Sequence, residues 1–483
     1  MEPAQIVFAL PLQRKQNDWR NGPITISGEA IFTYERTSAT DQRKGLRIAI
    51  RTRSVALWRS PFVRNAMWMF SGQGLALVVQ AAYFIVIARL LGNLQYGILV
   101  GAAACVAMVS PYGSLGSGFI FLRYVSPDPL KFAGYWGNII ISTLSLGTLL
   151  VIGLGLAAPW LLHGQTPMLV VLMATGDCIC NQLTTATSQI FQAYEKLRYT
   201  ALLNLLTNTS RLATALVLLI AIKHATALQW ATASLCISTL SCCGAVTFVV
   251  LHFGRPSFRF KLFVQRAWEG FIFAISGSTT SIYNDVDKVV LAHQGMNVAN
   301  GIYTMAYRVV DISTTPVRSI HAAAFPRFFR YGASSEGLTA TRKFAVKLLK
   351  RTSALSLGFA LIMVVGAPLI PFVIGKQFAA SVAALRWLSL IPVFRTLHLS
   401  AGDALSSAGY QTYRLASQAS VAAMNLGMDV YLIPRYSWHG AAWASLASDG
   451  TLGILMWITV FVLERRIRGG RYPMHIDSPE ALA

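Results

Sequence analysis

The chain has few charged residues: Asp, Glu, Lys and Arg make up 12% of its 483 positions, against about 25% in a typical soluble domain. Its six cysteines all lie in apolar runs, and none has the spacing of zinc ligands. The sequence also lacks a glycine-rich phosphate loop, an HExxH motif and a nucleotide-binding domain. It therefore predicts no metal, no cofactor and no disulfide, and it argues against an enzyme.

Long apolar runs fill most of the chain, and hydrophobic residues account for 54% of it. Each run is long enough to cross a hydrocarbon core of about 30 Å as a helix. The sequence thus predicts an all-α polytopic membrane protein with about twelve transmembrane helices. The expected spans are 65–90, 95–121, 135–161, 167–193, 199–222, 227–251, 267–292, 298–326, 351–374, 379–406, 411–434 and 438–463.

Basic residues alternate with these runs. Of the 41 Lys and Arg, 31 lie in the N-terminal segment and in every second gap, the opposite gaps hold four, and six lie inside spans. This asymmetry is the positive-inside pattern. It predicts a bacterial inner-membrane protein with both termini in the cytoplasm. The net charge of +22 then reflects orientation and attraction to anionic lipid. Nucleic-acid binding is not expected, since no basic stripe alternates with exposed aromatic residues.

The two halves of the chain carry matching marks at a separation of 204 or 205 residues. An even number of spans per half makes such repeats parallel, and binding sites tend to lie between them. We therefore predict a six-helix lobe over 65–256 and a second over 257–466. The matched marks are Ser71-Gly72 with Ser276-Gly277, Gly97-Ile98 with Gly301-Ile302, Pro111 with Pro316, and Arg123 with Arg327.

The two ends differ from these lobes. Residues 1–64 are polar and mixed in charge, and their apolar stretch near Ile6 is too short for a span. They are predicted to form a disordered cytoplasmic extension, and a translation start nearer Met67 or Met69 is the alternative. Residues 467–483 are predicted to form a cytoplasmic tail.

Polar residues within the spans are the candidate functional groups, because a charge at membrane depth is costly and needs a partner or a cavity. Arg308, Asp311, Thr315 and Arg318 fall on one face of span eight by the helical period. We interpret this face as the wall of a cavity. The alternative is a purely structural Arg308–Asp311 pair at i,i+3.

Span seven has a second polar stripe, whose members are Ser276, Thr279, Thr280, Tyr283 and Asp287. Asp285 points away from this stripe and can pair with Lys288 at i,i+3. Asp287 is then the better candidate for a cavity. The alternative for the whole stripe is hydrogen bonding between packed helices.

Further charges at depth are Asp177, Arg211, Arg395 and Asp449, with Arg386 and Asp429 nearer the outer leaflet. Arginine can hold a phosphate through bidentate hydrogen bonds. A desolvated carboxylate can exchange protons near neutral pH. These two chemistries suit an anionic substrate and an ion gradient, although each residue alone is equally compatible with a helix-packing ion pair.

Several stretches resemble the polysaccharide (O-antigen and exopolysaccharide) flippases of the MOP superfamily. Residues 65–126 resemble their first two spans, and 281–329, with the Asp287–Lys288 pair, resemble spans seven and eight. The likeness covers about 65–464 and departs from the usual pattern at His439, where Gly or a short polar residue is common. The other similar stretches are 188–216, 393–418 and 431–450.

This resemblance implies a two-lobed, MATE/MOP-like transporter that works by alternating access. Its implied substrate is an undecaprenyl-diphosphate-linked oligosaccharide, moved to the periplasmic leaflet for lipopolysaccharide or exopolysaccharide assembly together with assembly partners. Candidate residues for the diphosphate and glycan cavity are Arg308, Arg395, Arg211, Arg318, Thr315 and Tyr283. Candidates for proton or sodium coupling, or for charge pairs, are Asp177, Asp287, Asp311, Asp285 and Lys288.

Two other functions stay open. A drug or metabolite exporter with the same fold would favour an acidic, aromatic cavity for organic cations, whereas this chain has six basic residues within spans. A membrane glycan polymerase or ligase would carry a large periplasmic loop, and every gap on that side is short. Function has to be judged from the site, because one fold hosts several activities.

Overall fold

A computed structural model describes residues 61–163, 166–222 and 224–469, and side chains within 61–73 are not described. The described residues belong to one compact unit that begins at Pro61. Most of the predicted extension over 1–64 and of the tail over 467–483 therefore lies outside the described residues.

The first half consists of helices joined by short turns. Helix α1 is long and turns sharply at Gly92, which has φ 68° and ψ 177°. Short 3₁₀ and π segments lie at Pro129–Lys131 and Thr175–Cys180. The helices are α1 (Pro61–Val109), α2 (Pro111–Ser114), α3 (Ser117–Val125), α4 (Phe132–Leu161), α5 (Pro167–Ala174), α6 (Asn181–Ala193), α7 (Leu197–Ala221) and α8 (Ala227–Phe253).

The second half has the same character. Two of its helices carry internal prolines: α10 holds Pro316 and Pro326, and α15 holds Pro434. Short 3₁₀ turns flank α12 at Ala367–Leu369 and Lys376–Phe378. The helices are α9 (Phe260–His293), α10 (Asn297–Gly332), α11 (Leu338–Gly366), α12 (Ile370–Val373), α13 (Ser381–Leu388), α14 (Ile391–Ser407), α15 (Gln411–Tyr436) and α16 (Trp438–Arg468).

The predicted fold class is confirmed. Eight stretches of the described chain are long and apolar enough to span a membrane, and Gly74–Val125, at 52 residues, is long enough for two crossings. Helices α9, α10 and α15 are too polar to meet that criterion, yet their 34, 36 and 26 residues exceed the roughly 20 needed to cross a bilayer. The protein is a multi-pass membrane protein with about twelve helical crossings.

The break between the first two predicted spans lies at Gly92, within the predicted gap at 91–94, where a kink separates two helical arms of α1. Other boundaries differ from the prediction. The second span is interrupted at Leu115 and Gly116, which have φ values of 47° and 60°. Helix α11 begins at Leu338 rather than 351, since its first turns are charged and continue beyond the apolar stretch.

The two halves pack closely where α1 crosses α10. Gly97 and Gly301, two of the matched repeat marks, face each other there. A Cβ atom at Gly97 would overlap the carbonyl of Asn297, and one at Gly301 would overlap that of Asn93. The Asn300 amide also donates to the Gly97 carbonyl at 3.2 Å. Glycine is required at both positions because the two backbones nearly touch.

Side chains reinforce this contact at the same end of the molecule. Arg89 donates from Nε to the Val373 carbonyl at 2.8 Å, and the Asn93 amide donates to the Gln377 carbonyl at 2.9 Å. His163 Nδ1 lies 2.8 Å from the His293 carbonyl, with the two imidazole rings 4.7 Å apart. The halves are therefore joined here by polar contacts to backbone carbonyls. We call this end, with its turns near 163, 295 and 375, the sealed end.

The opposite end is more open. Beyond α1, no first-half helix packs extensively on α10 within the described residues. The second part of α10 exposes a broad face that includes Arg318, Ser319 and Ile320. Helix α9 instead leans on α3 and α4, where Arg123 Nη1 forms a 2.6 Å ion pair with Glu269. The halves thus diverge beside α10 but stay in contact beside α9.

A substitution at Gly97 tests the sealed end. Cysteines at Asn93 and Gln377 should form a disulfide readily under mild oxidation, because the Asn93 side chain reaches the Gln377 backbone carbonyl at 2.9 Å. Adding Gly97→Leu should lower the cross-linking yield severalfold, since overpacking costs about 1–3 kcal/mol. Gly153→Leu is the matched control, because no atom lies within 4 Å of the added Cβ. An unchanged yield with Gly97→Leu would contradict the close approach.

Candidate functional site

The side chain of Arg395, on α14, is almost fully buried, with 5% of the residue exposed. Its Nη1 forms a 3.0 Å ion pair with Asp311, and its Nη2 donates to the Tyr307 hydroxyl at 2.7 Å. Its Nε lies 3.6 Å from a carboxylate oxygen of Asp449. All three nitrogens of the planar guanidinium thus face an oxygen, as burial of this charge requires.

Asp449, on α16, joins further helices to this group. Its Oδ1 accepts a hydrogen bond from the Tyr283 hydroxyl at 2.7 Å and lies 3.4 Å from His398 Nε2. The Asp449 side chain is only 3% exposed. Because Tyr283 lies on α9 and His398 on α14, one carboxylate connects three helices. We call Tyr283, Tyr307, Asp311, Arg395, His398 and Asp449 the Arg395 cluster.

Arg308 lies at the edge of this cluster and contacts the other half. Its Nη1 is 3.9 Å from Asp311, its guanidinium lies 4.8 Å from the Phe84 ring on α1, and its side chain is 36% exposed. Its Nε has no hydrogen-bond partner among the described residues. Asp311 is therefore shared between two arginines. Arg395 holds it by the shorter contact, so Arg308 retains most of its capacity to bind an anion.

Thr315 and Arg318, the other members of the predicted polar face, lie further along α10. The Thr315 hydroxyl donates to the Asp311 carbonyl at 3.1 Å and is thus engaged by its own helix. Arg318 is exposed and lies within electrostatic range of Arg395 and Asp311. The polar face predicted from the helical period therefore contains the Arg308–Asp311 contact and, further along α10, the exposed Arg318.

In the first half, a π-helical turn over Thr175–Cys180 carries Asp177. Such turns widen a helix by one residue and often occur at functional sites. Asp177 lies within electrostatic range of Arg211, whose Nε is buried without a hydrogen-bond partner among the described residues. Tyr83 on α1 is in range of both Arg211 and Arg308. Basic groups from the two halves therefore approach α1 from either side.

Asp287 lies in the packed interior of the second half, with 4% exposed, and not on the open cavity wall that the stripe on span seven suggested. Its carboxylate accepts a hydrogen bond from the Tyr303 hydroxyl and another from the Lys288 backbone at 2.7 Å. Tyr303 is in turn 2.8 Å from Ser445. Helices α10 and α16 thus cover the face of α9 that carries Asp287.

Asp429, on α15, is a second buried carboxylate close to Asp287. Its Oδ2 accepts from the Asn425 amide at 3.0 Å, and Ser448 donates to the same amide group at 2.7 Å. Its Oδ1 is buried without a partner among the described residues. The two carboxylates interact electrostatically, and neither forms an ion pair within the described chain. We call Asp287 and Asp429 the carboxylate pair.

Asp285 and Lys288 form the ion pair that the i,i+3 spacing suggested. Lys288 Nζ also donates to the Asn284 carbonyl at 2.9 Å, and it forms no ion pair with Asp287 among the described residues, although it lies within electrostatic range. The Lys288 charge is thus already compensated by Asp285. It offers Asp287 only its backbone N–H as a hydrogen-bond donor.

Some residues of these clusters were absent from the sequence-based site. Tyr303, Tyr307, His398 and Asn425 looked like ordinary polar positions within spans. The i,i+4 spacing could have linked Tyr303 with Tyr307 and Asn425 with Asp429. No group of three or more His, Cys, Asp or Glu side chains within the described ranges has the geometry of a metal site.

Comparisons with known proteins agree with this architecture. A family model described as "Polysaccharide biosynthesis protein" matches residues 62–332, more than half of the chain. The chain belongs to the polysaccharide biosynthesis protein family. This assignment confirms the resemblance noted in the sequence, although a search of curated proteins finds no match.

Several solved structures resemble this polysaccharide biosynthesis protein in fold. An inward-facing multidrug resistance MATE family transporter of the MOP superfamily matches with a TM-score of 0.67 at 12% identity, covering 82% of this chain and 99% of that one. The outward-facing conformation of such a transporter gives 0.53 at 15% identity, covering 85% and 98%. A MOP superfamily transporter from Pyrococcus furiosus gives 0.57 at 13%, covering 84% and 96%. The shared property is the MOP fold.

The contrast between Arg395 and Arg308 predicts different effects on stability. Arg395→Ala should lower the free energy of unfolding by about 3–5 kcal/mol, because it leaves buried carboxylates without a countercharge. Arg308→Ala should cost about 1 kcal/mol or less, as expected for a partly exposed ion pair. Thermal unfolding in detergent measures both variants. Asp449→Asn should restore part of the loss in Arg395→Ala, and equal melting temperatures for both arginine variants would contradict this hierarchy.

Proposed function

We propose that the protein is a flippase that moves an undecaprenyl-diphosphate-linked oligosaccharide from the cytoplasmic to the periplasmic leaflet of the bacterial inner membrane. Membership of the polysaccharide biosynthesis family and the MOP transporter fold support this proposal. In this role the protein binds and releases its cargo by alternating access, and it forms or breaks no covalent bond.

The observation that carries the proposal is a set of arginines, near the contact between the halves, whose N–H donors are not all hydrogen-bonded. Arg211 and Arg308 each have a buried Nε without a hydrogen-bond acceptor among the described residues, and both lie near Tyr83. Arg318 adds an exposed cation about two helical turns beyond Asp311 on the same face of α10. Planar guanidinium groups hold phosphate oxygens by paired hydrogen bonds, and a low dielectric strengthens these contacts.

Roles within the cavity follow from how each side chain is engaged. Arg308, Arg211 and Arg318 would contact the diphosphate, because they have donors to spare. Arg395 would act as a positioning residue, since its three nitrogens already face Asp311, Asp449 and Tyr307. Tyr283 and Thr315 are likewise held by Asp449 and by the α10 backbone, so they would shape the cavity more than bind the substrate.

The conformation fits the state in which a transporter of this kind takes up its substrate from the cytoplasmic side. With cytoplasmic termini, as the charge asymmetry predicts, the sealed end is periplasmic and the exposed face of α10 opens toward the cytoplasm. The higher TM-score to the inward-facing transporter than to the outward-facing one supports this orientation of the cavity. A lipid-linked substrate in the cytoplasmic leaflet would then meet Arg318 first and Arg308 deeper.

An exporter of organic cations is the competing function on this fold. Its cavity would need carboxylates and aromatic faces that are free to meet a positive charge. Here Asp311 and Asp449 are held by Arg395 and Tyr283, and the open groups beside them are arginines. The electrostatics therefore favour an anionic cargo.

The transport role can be tested in a strain that lacks this gene. Arg308→Ala and Arg308→Lys should both leave lipid-linked oligosaccharide on the cytoplasmic leaflet, because lysine keeps the charge but loses the planar fork. Losing charge-assisted bonds of about 1.5–3 kcal/mol predicts a drop in transport of roughly 10- to 100-fold. Arg435→Ala, an exposed arginine that donates to its own helix, is the control.

An Asp311→Asn background separates the two interpretations of Arg308. A diphosphate site should stay inactive in the Arg308→Ala, Asp311→Asn double variant. Recovery of transport in that double variant at matched expression would show a structural pair and would sink the assignment of Arg308 to the diphosphate.

We also propose that the carboxylate pair binds the coupling ion, a proton or Na⁺. Two carboxylates buried close together cannot both stay ionised without a countercharge. Lys288 lies within electrostatic range of Asp287 but already pairs with Asp285. The orphaned Asp429 Oδ1 and the nearby oxygens of Asn425 and Ser445 are suitable ligands for a small hard cation. Asp177 would serve as a charge pair for Arg211 and not as a second coupling site.

This coupling can be measured in proteoliposomes under an imposed pH or sodium gradient. Asp429→Asn should abolish the response to the gradient while downhill exchange continues, because the amide removes the titratable and cation-binding charge. Glu336→Gln is the control, since that exposed carboxylate pairs with Lys343, and the hydrogen bond from this ammonium lowers the pKa of Glu336. A full gradient response in Asp429→Asn would refute the assignment, and comparison of the two gradients identifies the ion.

A further inference from the structure

A small, partly open cavity lies between α2, α3, α4 and the first turns of α9, away from the Arg395 cluster and the carboxylate pair. It is on the side where α9 leans on the first half, near the turns at 126–131 and 254–259. Its walls are formed by Ser114, Leu115, Ser117, Ile120, Tyr135, Asn138, Ser142, Leu262, Phe263, Arg266 and Ala267.

The cavity exists because the chain breaks its helix at Leu115 and Gly116, whose φ values are 47° and 60°. The Leu115 carbonyl projects onto Gly270 of α9, where a Cβ atom would overlap it. Below this contact α9 is tied to α4 by Asn138, whose side chain donates to the Arg259 carbonyl at 3.3 Å and accepts from its N–H at 3.0 Å. The space between these two ties stays unfilled.

Two polar atoms of the cavity lining are buried without a hydrogen-bond partner among the described residues, namely Ser117 Oγ and Arg266 Nε. The Arg266 guanidinium otherwise donates to the Tyr124 hydroxyl at 2.7 Å and lies 3.7 Å from Glu269. A buried donor left unsatisfied costs about 1–3 kcal/mol. A ligand with oxygen acceptors would remove that cost, and an anion would suit the arginine best.

The surroundings of the cavity are basic. Arg255, Arg259 and Lys261 are exposed at the beginning of α9, and the Arg259 side chain lies against Gly134, next to the lining residue Tyr135. The nearby carboxylates are already compensated, because Glu269 pairs with Arg123 at 2.6 Å and Asp128 pairs with Lys131 at 3.2 Å. A surplus of positive charge therefore remains at the mouth of the cavity.

The same stretch presents large apolar side chains to the membrane. Phe260, Val264 and Trp268 follow one another at i+4 along α9 and are 67%, 56% and 72% exposed. Basic clusters beside a membrane attract anionic lipids by about 1 kcal/mol per residue. An aromatic and aliphatic stripe next to them can accommodate acyl chains. The combination matches the two chemical parts of a phospholipid.

We propose that this cavity binds an anionic phospholipid, with its phosphate at Arg266 and Ser117, its headgroup beside Arg259 and Lys261, and its acyl chains along Phe260, Val264 and Trp268. The lipid fills the seam between α3, α4 and α9 and stabilises the contact between the halves on that side. This site is independent of the transported substrate, which the proposed function places at Arg308.

The test uses the purified full chain in detergent, with phosphatidylglycerol and phosphatidylcholine of identical acyl chains as probes. Native mass spectrometry should show phosphatidylglycerol binding about tenfold tighter or more, as two basic contacts of about 1 kcal/mol each predict. Thermal unfolding should show a matching rise in melting temperature with that lipid. Equal affinity for both lipids would overturn the proposal.

Variants locate the site. Arg266→Gln should remove most of the preference for phosphatidylglycerol, and Arg259→Gln with Lys261→Gln should weaken it with little effect on folding, because both side chains are exposed. Lys376→Gln with Arg435→Gln, at the sealed end, is the control with the same change of charge. An undiminished preference in the Arg259, Lys261 double variant and in Arg266→Gln would refute the site.

Two competitors distinguish the sources of phosphate. Inorganic phosphate should neither displace the lipid nor raise the melting temperature to the same extent, and if it does both the site takes a free anion and the proposal is wrong. Undecaprenyl phosphate should not displace phosphatidylglycerol preferentially. If it does, the cavity belongs to the transport substrate, a result that would leave the flippase proposal standing but overturn this one.

Discussion

Burial of the Arg395 guanidinium is the constraint on which the second half depends. A charge at this depth is tolerated only when carboxylates neutralise it and oxygens accept its N–H groups. Asp311 and Asp449 supply the charge, and Tyr307 supplies a further oxygen. Because these residues come from α10, α16 and α14, their pairing sets the position of three helices at once. Tyr283 extends the same arrangement to α9.

The cluster also explains how Arg308 can meet an anion beside a carboxylate. Asp311 would repel a phosphate if its charge were free, yet Arg395 holds it at 3.0 Å while Arg308 stands 3.9 Å away. Asp449 balances the other arginine charge, so Arg395, Arg308, Asp311 and Asp449 are neutral together, and Arg308 is the cation on the exposed side. Arg395 thus neutralises Asp311 from the buried side and leaves the charge of Arg308 available to an anion.

Local patterns explain what the sequence could predict. Apolar length and charge asymmetry are properties of each segment, so the number of crossings and the α10 polar face could be inferred without a fold. The Asp285–Lys288 pair was accessible for the same reason, since its partners are three residues apart. Arg395 and Asp311 are 84 positions apart, so no period connects them. Asp287 shows the same limit, because helical spacing defines its face but not that Tyr303 covers it.

The sharp turn at Gly92 has a mechanical consequence. The first two crossings share α1 without a connecting loop, so the corner between them contains no slack. A Cβ atom at Gly92 would also press on the Gln377 side chain, which ties the corner to the opposite half. Any rotation of one half against the other would therefore act directly on this corner and on both arms of α1. A small change of angle at Gly92 would give a larger displacement at the far ends of both arms.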